Sequence, residues 1–358
     1  MQVLAPILDS ALLVRYTSVI AMRTADFDYE LPPDLIAQRP APRGAARMMV
    51  LNRSTGDVHL SAFDAFPSYL CPGDTVVLND TRVTARRVAA LGLPRGGEAL
   101  LLRPVGETEW EALVRPGRAF RVGKVVSLAG PDGRSIEARV RSVEPDGSRR
   151  LEFRCAQERD RMASAGSAPT PPYIREPLVD EEAYQTVYAR EGGSAAAPTA
   201  GLHFTEAMLE RVRSAGARIA WITLHVGVDT FRPVKCERAD DHLMHGEWYQ
   251  LGAEAAEVIN ATSGRVVAIG TTSVRALESA AVEDRRVRPT AGATHLFITP
   301  GYRFRVVSAM LTNFHLPRST LLMLVSAFAG YERTMEAYRT AVRERFRFYS
   351  FGDAMFIS

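Results

Sequence analysis

Four short stretches place an imidazole, a hydroxyl or a guanidinium where an apolar run ends. They are Pro198-Thr199-Ala200-Gly201-Leu202-His203, Thr223-Leu224-His225-Val226-Gly227, Gly270-Thr271-Thr272-Ser273-Val274-Arg275 and Leu311-Thr312-Asn313-Phe314-His315. An imidazole accepts and returns a proton near neutral pH, so His203, His225 and His315 are candidates for acid–base work. The hydroxyls of Thr271, Thr272 and Ser273, with the free N–H groups of a helix start, suit a carboxylate, and Arg275 is placed to pair with it. Taken singly, each histidine reads better as a satisfied structural residue. Four such clusters at strand ends, where open sheets bind ligands, argue together for an active site.

The elements that must position these groups follow from the pattern around them. Residues 184–204 are rich in glycine and alanine, so backbone or ligand can approach closely, and Pro198 interrupts any helix there. Thr205 is a plausible N-cap for the amphipathic run after His203. Upstream, Arg47 to Phe63 reads as strand, turn and strand, and Thr75 to Asp80 as a short buried strand. From Val88 to Phe153 the chain becomes short β runs separated by Gly-Gly, Arg-Pro-Gly and Pro-Asp-Gly signals, the spacing of a small antiparallel barrel. After the proline cluster Pro169-Thr170-Pro171-Pro172, helices and strands alternate, as in a sheet covered by helices.

The expected fold class is therefore α/β: a larger domain with a mixed sheet and flanking helices, interrupted by an inserted antiparallel β-barrel. The boundaries read as 22–78 with 162–358 for the discontinuous α/β domain, 79–161 for the barrel, and 1–21 for an N-terminal extension. Asp9 and Arg15 break up the apolar extension, so it suits neither a membrane span nor a signal peptide, and Met22 reads as the biological start.

A chain of 358 residues has room for roughly two domains. The net charge of +3 does not by itself announce a nucleic-acid protein. Lys124 and Lys235 are the only lysines among 44 basic residues; arginine suits phosphate and carboxylate recognition, although a GC-rich coding sequence gives the same bias. Cys71, Cys155 and Cys236 stand far apart, which argues against a disulfide framework or thiolate zinc site and for a reducing cytoplasm. GxGxxG, Walker A and GxSxG patterns are absent. Asp241-His242-Leu243-Met244-His245-Gly246-Glu247 is not HExxH, and no metal is expected there.

Longer motifs carry a resemblance. FDYELP, LNDTRV, PPYI, YQTVYA with APTAGLHFT, LHVG, HLMHGE, GTTSVRALE, LTNFHLPRSTLLMLVSAFAGY and FRFYSFGDAMFI occur in order from Met22 onward. Together they resemble the S-adenosylmethionine:tRNA ribosyltransferase-isomerases of queuosine biosynthesis. The resemblance implies an α/β domain with an inserted barrel. It also implies transfer and rearrangement of the ribosyl part of S-adenosylmethionine onto 7-aminomethyl-7-deazaguanine in the tRNA anticodon, giving epoxyqueuosine, adenine and methionine. S-adenosylmethionine is then consumed as a substrate, and no separate cofactor, metal or membrane partner is expected; the expected state is a monomer.

Such a reaction needs a base for the acidic proton beside the sulfonium, a proton donor for adenine and hydrogen bonds for the opened sugar. The resemblance makes His203 or His225 the expected base and the other, or His315, the acid. Thr271, Thr272, Ser273 and Arg275 are expected on the methionine carboxylate, Asn313 and Asp353 on the sugar or deazapurine, and Arg82 with Arg87 on anticodon phosphates. Asp229, Gly246, His295, Thr299, Ala85 and Arg86 depart from the family pattern, where serine precedes the glutamate at 247 and aspartate stands at 295. These departures keep two alternatives in play: a related ribosyl transferase with a different, even small-molecule, acceptor, and a non-catalytic RNA-binding module.

Overall fold

The structure is a computed structural model describing residues 22–93, 96–227, 230 and 233–358; the N-terminal extension and Asp229 lie outside these. Its first strands are β1 (Arg47–Leu51), β2 (Val58–Ala62), β3 (Thr75–Asn79) and the short β4 (Thr81–Val83). Six more follow: β5 (Arg86–Leu91), β6 (Glu98–Val105), β7 (Glu109–Arg115), β8 (Val125–Ala129), β9 (Ser135–Val143) and β10 (Arg149–Phe153). The rest are β11 (Glu191–Ser194), β12 (Arg218–Leu224), β13 (Glu247–Leu251), β14 (Val266–Ile269), the hairpin β15 (Ala281–Glu283) and β16 (Arg286–Val287), β17 (Thr290–Thr294), β18 (Ala309–Asn313) and β19 (Ala354–Ile357). The α-helices are α1 (Ala156–Arg161), α2 (Glu206–Ser214), α3 (Ala253–Asn260), α4 (Thr271–Ala280), α5 (Thr320–Ala329) and α6 (Tyr331–Arg343).

Strands β5 to β10 close into an antiparallel barrel, and nine others form one mixed sheet in the order β17-β13-β12-β3-β14-β18-β19-β1-β2. The fold class is the one expected. Barrel strands alternate inward Val88, Leu101, Ala112, Leu128, Val140 and Leu151 with outward polar residues, so the insertion has its own core. In the large sheet both faces are covered. Val77, Ile222, Ala268 and Met310 face one apolar layer with α4 and α5, while Val76, Leu78, Val267 and Leu311 face another built on Phe63, Phe66, Phe204 and α2. Coverage on both sides is why Thr75–Asn79 and Val266–Ile269 read as unbroken apolar runs.

The topology decides where the chemistry falls. β12, β3, β14 and β18 run parallel as neighbours, so Leu224, Asn79, Ile269 and Asn313 all end at one sheet edge. β19 is antiparallel to β18 with Ala354 opposite Asn313, which brings Asp353 to that same edge. Asn79 then ties the edge together: its Oδ1 accepts from Leu224 N (3.0 Å) and Thr81 N (3.2 Å), while its Nδ2 donates to Leu224 O (3.0 Å) and Thr272 Oγ1 (3.3 Å).

Local sequence signals account for most element boundaries. The Thr205 Oγ1 accepts from Met208 N at 3.1 Å, capping α2 as its position suggests. Helix α4 begins at Thr271, where Gly270 turns the chain with φ 87°. Helix α5 starts after Ser319: the Ser319 Oγ accepts from Leu322 N (3.2 Å), and Arg318 takes up the turn with φ 56°. After the proline cluster the first helical element is only a 3-10 turn, Glu181–Tyr184, capped by Asp180.

Candidate active site

A cleft of about 1400 Å³ opens between the barrel and the sheet edge. The barrel supplies Leu102, Arg103, Glu111 and Leu113; the sheet side supplies Gly192, Gly193, His225, Gly227, Glu247 and Trp248. His225 directly follows β12 and is half-buried here. Its ring lies against the indole of Trp248 on one side, and on the other Gly193 leaves it room: a Cβ at Gly193 would come within 2.7 Å of Nε2. Gly193, at φ 141°, is a position that glycine suits and that no side chain could share with this imidazole.

Nδ1 of His225 lies 2.8 Å from the Thr81 Oγ1, whose hydroxyl also reaches Glu191 O at 3.4 Å. A hydroxyl that donates to that carbonyl accepts from Nδ1–H, which leaves the lone pair on Nε2, the nitrogen beside Gly193. Burial lowers the His225 pKa, more than the nearby Glu191 carboxylate raises it. The ring is therefore neutral at pH 7 and held in one orientation, which is what a general base requires.

Thr271, Thr272, Asn313 and His315 share a second, smaller space of about 40 Å³. It adjoins the cleft through Val226 and Thr230, which line both. The first turn of α4 opens onto it, so helix-start N–H groups and two threonines border a volume fit for a carboxylate rather than a sugar. His315 is buried on its wall, with Nε2 2.8 Å from Thr312 Oγ1 and its backbone N donating to the Tyr338 hydroxyl (3.0 Å). Burial lowers its pKa to about 3, so it is a neutral ring that does not carry a proton to give away near pH 7.

His203 faces a third space, of about 260 Å³, with Arg43, Leu202 and Phe351. Asn313 Nδ2 donates to its Nε2 at 3.3 Å, and the Asn313 Oδ1 accepts from Thr199 Oγ1 at 2.9 Å. Phe63 packs on its ring with centroids 5.0 Å apart. Burial lowers its pKa to about 4 against the opposing pull of Asp353. The three histidines thus lie along one sheet edge in three adjoining spaces, and the expectation of a single shared cleft is corrected: only His225 lines the large one.

Several expected substrate contacts are turned inward. Arg275 is ion-paired with Glu247, both nearly buried, and its Nε donates to Leu296 O (3.0 Å), so it has no free face for a substrate carboxylate. Ser273 is fully buried and donates to Ile269 O (2.7 Å) one turn back in its own helix. Asp353, also buried, accepts from Arg47 N (3.1 Å) and Arg347 N (2.8 Å) and pairs with the Arg347 guanidinium (3.3 Å), which fixes the C-terminal loop instead of a sugar. Arg82 is half-buried and paired with Glu182, and Arg87 lies 3.6 Å from Glu98.

Four residues near His225 have roles that their sequence context does not assign: Gly193 is legible only as part of a small-residue stretch, Glu247 only as a member of the run 241–247, and Trp248 and Thr81 not at all. Glu247 accepts from Gly227 N (2.7 Å) and Thr230 Oγ1 (2.8 Å), so the Arg275 pair holds the cleft wall next to His225. Trp248 is 40% exposed at the cleft floor. Thr81 and Gly193 complete the histidine's surroundings. Strand alternation in Glu247–Leu251, buried at 247 and exposed at 248, was the available signal for the sides that Glu247 and Trp248 face. His242 and His245 line the rim, where His242 meets Phe297 edge-on; among the described residues no group of three His, Cys, Asp or Glu is placed to hold a metal ion.

Two departures from the family pattern meet at that rim. A Cβ at Gly246 would come within 2.7 Å of His295 Cε1, and His295 Nδ1 lies 3.2 Å from Met244 O. The larger side chain at 295 thus fits because 246 has none.

The comparisons agree with this architecture. A family model described as queuosine biosynthesis protein matches residues 24–357. A Symbiobacterium thermophilum protein named S-adenosylmethionine:tRNA ribosyltransferase-isomerase is 50% identical over 343 residues, covering 94% of this chain and 100% of its own. A Moorella thermoacetica protein of the same name is 50% identical over 345 residues, again 94% of this chain and 100% of its own. A crystal structure of S-adenosylmethionine tRNA ribosyltransferase from Thermotoga maritima is 38% identical, covers 93% of this chain and 100% of that one, and superposes with a TM-score of 0.54. With a match that runs from the first described helical turn through the last strand, the chain belongs to the queuosine biosynthesis protein family.

Proposed function

We propose that this chain is an S-adenosylmethionine:tRNA ribosyltransferase-isomerase. It moves the ribosyl part of S-adenosylmethionine onto 7-aminomethyl-7-deazaguanine in a tRNA anticodon, forms epoxyqueuosine and releases adenine and methionine. The observation that carries this reading is His225, neutral and fixed by Thr81 and Trp248, at the floor of a cleft walled by both domains. Small-molecule sites occupy roughly 300–1,000 Å³. At about 1400 Å³ the cleft has room for S-adenosylmethionine and an extruded nucleobase together.

In this reading Nε2 of His225 takes the proton from the carbon beside the sulfonium, which is acidified by the positive sulfur. The aminomethyl nitrogen bonds to the ribosyl fragment and loses a proton, the glycosidic bond breaks as adenine takes up a proton, and the carbon–sulfur bond to methionine breaks as the fragment closes to the epoxycyclopentane. Trp248 offers an exposed flat face for one of the two purine-like rings. The methionine carboxylate lies at the start of α4 beside Thr271 and Thr272, and Arg275 acts at one remove by holding Glu247 and the wall at Gly227 and Thr230. The substrates place the enzyme in the cytoplasm.

The test is to incubate the protein with S-adenosylmethionine and tRNA carrying the aminomethyl-deazaguanine, and to analyse nucleosides by mass spectrometry. Epoxyqueuosine with an equal amount of free adenine is the expected result. Adenine release with unchanged tRNA would overturn the choice of acceptor, and neither product would overturn the activity.

A further inference from the structure

Most barrel arginines have acidic partners: Arg103 and Arg150 with Glu111, Arg141 with Glu152, Arg161 with Asp132. Five cations differ. Arg115, Arg118, Arg121, Lys124 and Arg139 are exposed, and among the described residues none of them has an ion-pair partner. Glu98, across the ladder from Arg115, is turned to Arg87 instead. Leaving several like charges unpaired and close together is unfavourable for the free protein, so a polyanionic partner is the natural counterpart.

Their placement specifies the partner's approach. Arg115 stands two residues beyond Leu113 on the outward face of β7, the face whose Glu111 and Leu113 line the cleft. Two strand residues span about 7 Å, near the spacing of successive backbone phosphates. From Arg115 the chain crosses the barrel end through the 3-10 turn Gly117–Ala119 to a tight turn in which Lys124 N donates to Arg121 O (3.0 Å). Gly123 N and Lys124 O bond to Val140 (2.8 and 2.9 Å), which sets Arg139 beside that turn. Followed along the chain, the cations make a strip from Arg115 on the cleft-lining face of β7, through the barrel-end turns, to Arg139.

We propose that this strip is a docking surface for the backbone phosphates of an RNA helix whose loop enters the cleft. The inference rests on the tRNA reading above and adds where the stem is held. Such contacts are independent of sequence and dependent on salt.

The test measures equilibrium binding of the unmodified protein and of R118A/R121A/K124A to the aminomethyl-deazaguanine tRNA, without S-adenosylmethionine, from low to high salt. R286A/R288A, which removes exposed cations on the β16 hairpin end of the other domain, is the control. Three lost phosphate contacts should weaken binding at least about ten-fold and flatten the slope of log K against log salt by about 2 to 3, with the control unchanged. Unaltered affinity and slope in the triple variant, with its melting temperature preserved, would overturn the docking surface. An equal loss in the control would overturn it too. Because the readout is binding, it is decided separately from turnover: absent epoxyqueuosine with intact, strip-dependent RNA binding would contradict the activity and leave the surface standing.

Discussion

The rings of His225 and Trp248 lie face to face, centroids 5.0 Å apart and planes 20° from parallel. The indole excludes water from one side of the imidazole, and that exclusion lowers the histidine's pKa. If neutral His225 is the base, kcat/KM rises with pH through that lowered value and is flat by neutrality. Trp248→Ala admits water, moves the pKa up toward the ordinary 6.5 and shifts the acid limb to higher pH. A pH–rate profile of both proteins checks this; an acid limb that stays in place would disconnect the stack from the base.

Glu247 and Arg275 are a nearly buried ion pair. Glu247→Gln leaves the guanidinium buried without its counter-charge and should destabilise the fold by about 3–5 kcal/mol. Replacing both partners by apolar residues, Glu247→Leu with Arg275→Met, should recover part of that loss while lowering turnover, since Gly227 and Thr230 lose their common acceptor. Denaturant unfolding and adenine release, measured on the same preparations, separate the two effects.

Gly246 and His295 predict a non-additive pair. Gly246→Ser pushes a side chain into the imidazole; because both residues are exposed and the ring can swing aside, it should cost about 0.5–1 kcal/mol. In a His295→Asp background the same substitution should be close to neutral. Thermal melts of the four proteins give the coupling; simple additivity would mean that the two departures from the family pattern are unrelated.

Acid stability follows from His203 and His315. Their pKa values are lowered to about 4 and about 3 in the folded protein, whereas an unfolded imidazole titrates near 6.5. Between those values the unfolded chain binds the protons, so stability is full above about 6.5 and declines as pH falls toward 4 and then 3. Urea unfolding at pH 7.5 and pH 5 should show the loss, and His203→Gln should reduce the difference between the two. A difference as large as in the unmodified protein would assign the acid sensitivity elsewhere.

The sheet-edge location of the clusters was legible because strand ends and glycine turns are local signals. LND, LHVG, GTTS and LTNFH each end a run that its own residues mark as a strand. What a side chain faces was not. His203 and His225 stand in similar contexts, yet one ends a 3-10 turn against Phe63 and the other a strand against Trp248. Arg275 reads as a free cation until Glu247, on a strand that α4 packs against, is seen to claim it. Likewise Asp353 answers to Arg47, distant in the chain and near only through β1 and β19. Partners set by topology leave no trace in spacing.

The central claim is that His225, rather than His203, removes the proton beside the sulfonium. Single-turnover adenine release by His225→Ala and His203→Ala, with saturating S-adenosylmethionine and tRNA, tests it most directly. The account predicts a loss of about 100-fold or more for His225→Ala with S-adenosylmethionine still bound, and a much smaller loss for His203→Ala. Near-normal release by His225→Ala, or the reverse order of the two variants, would contradict it.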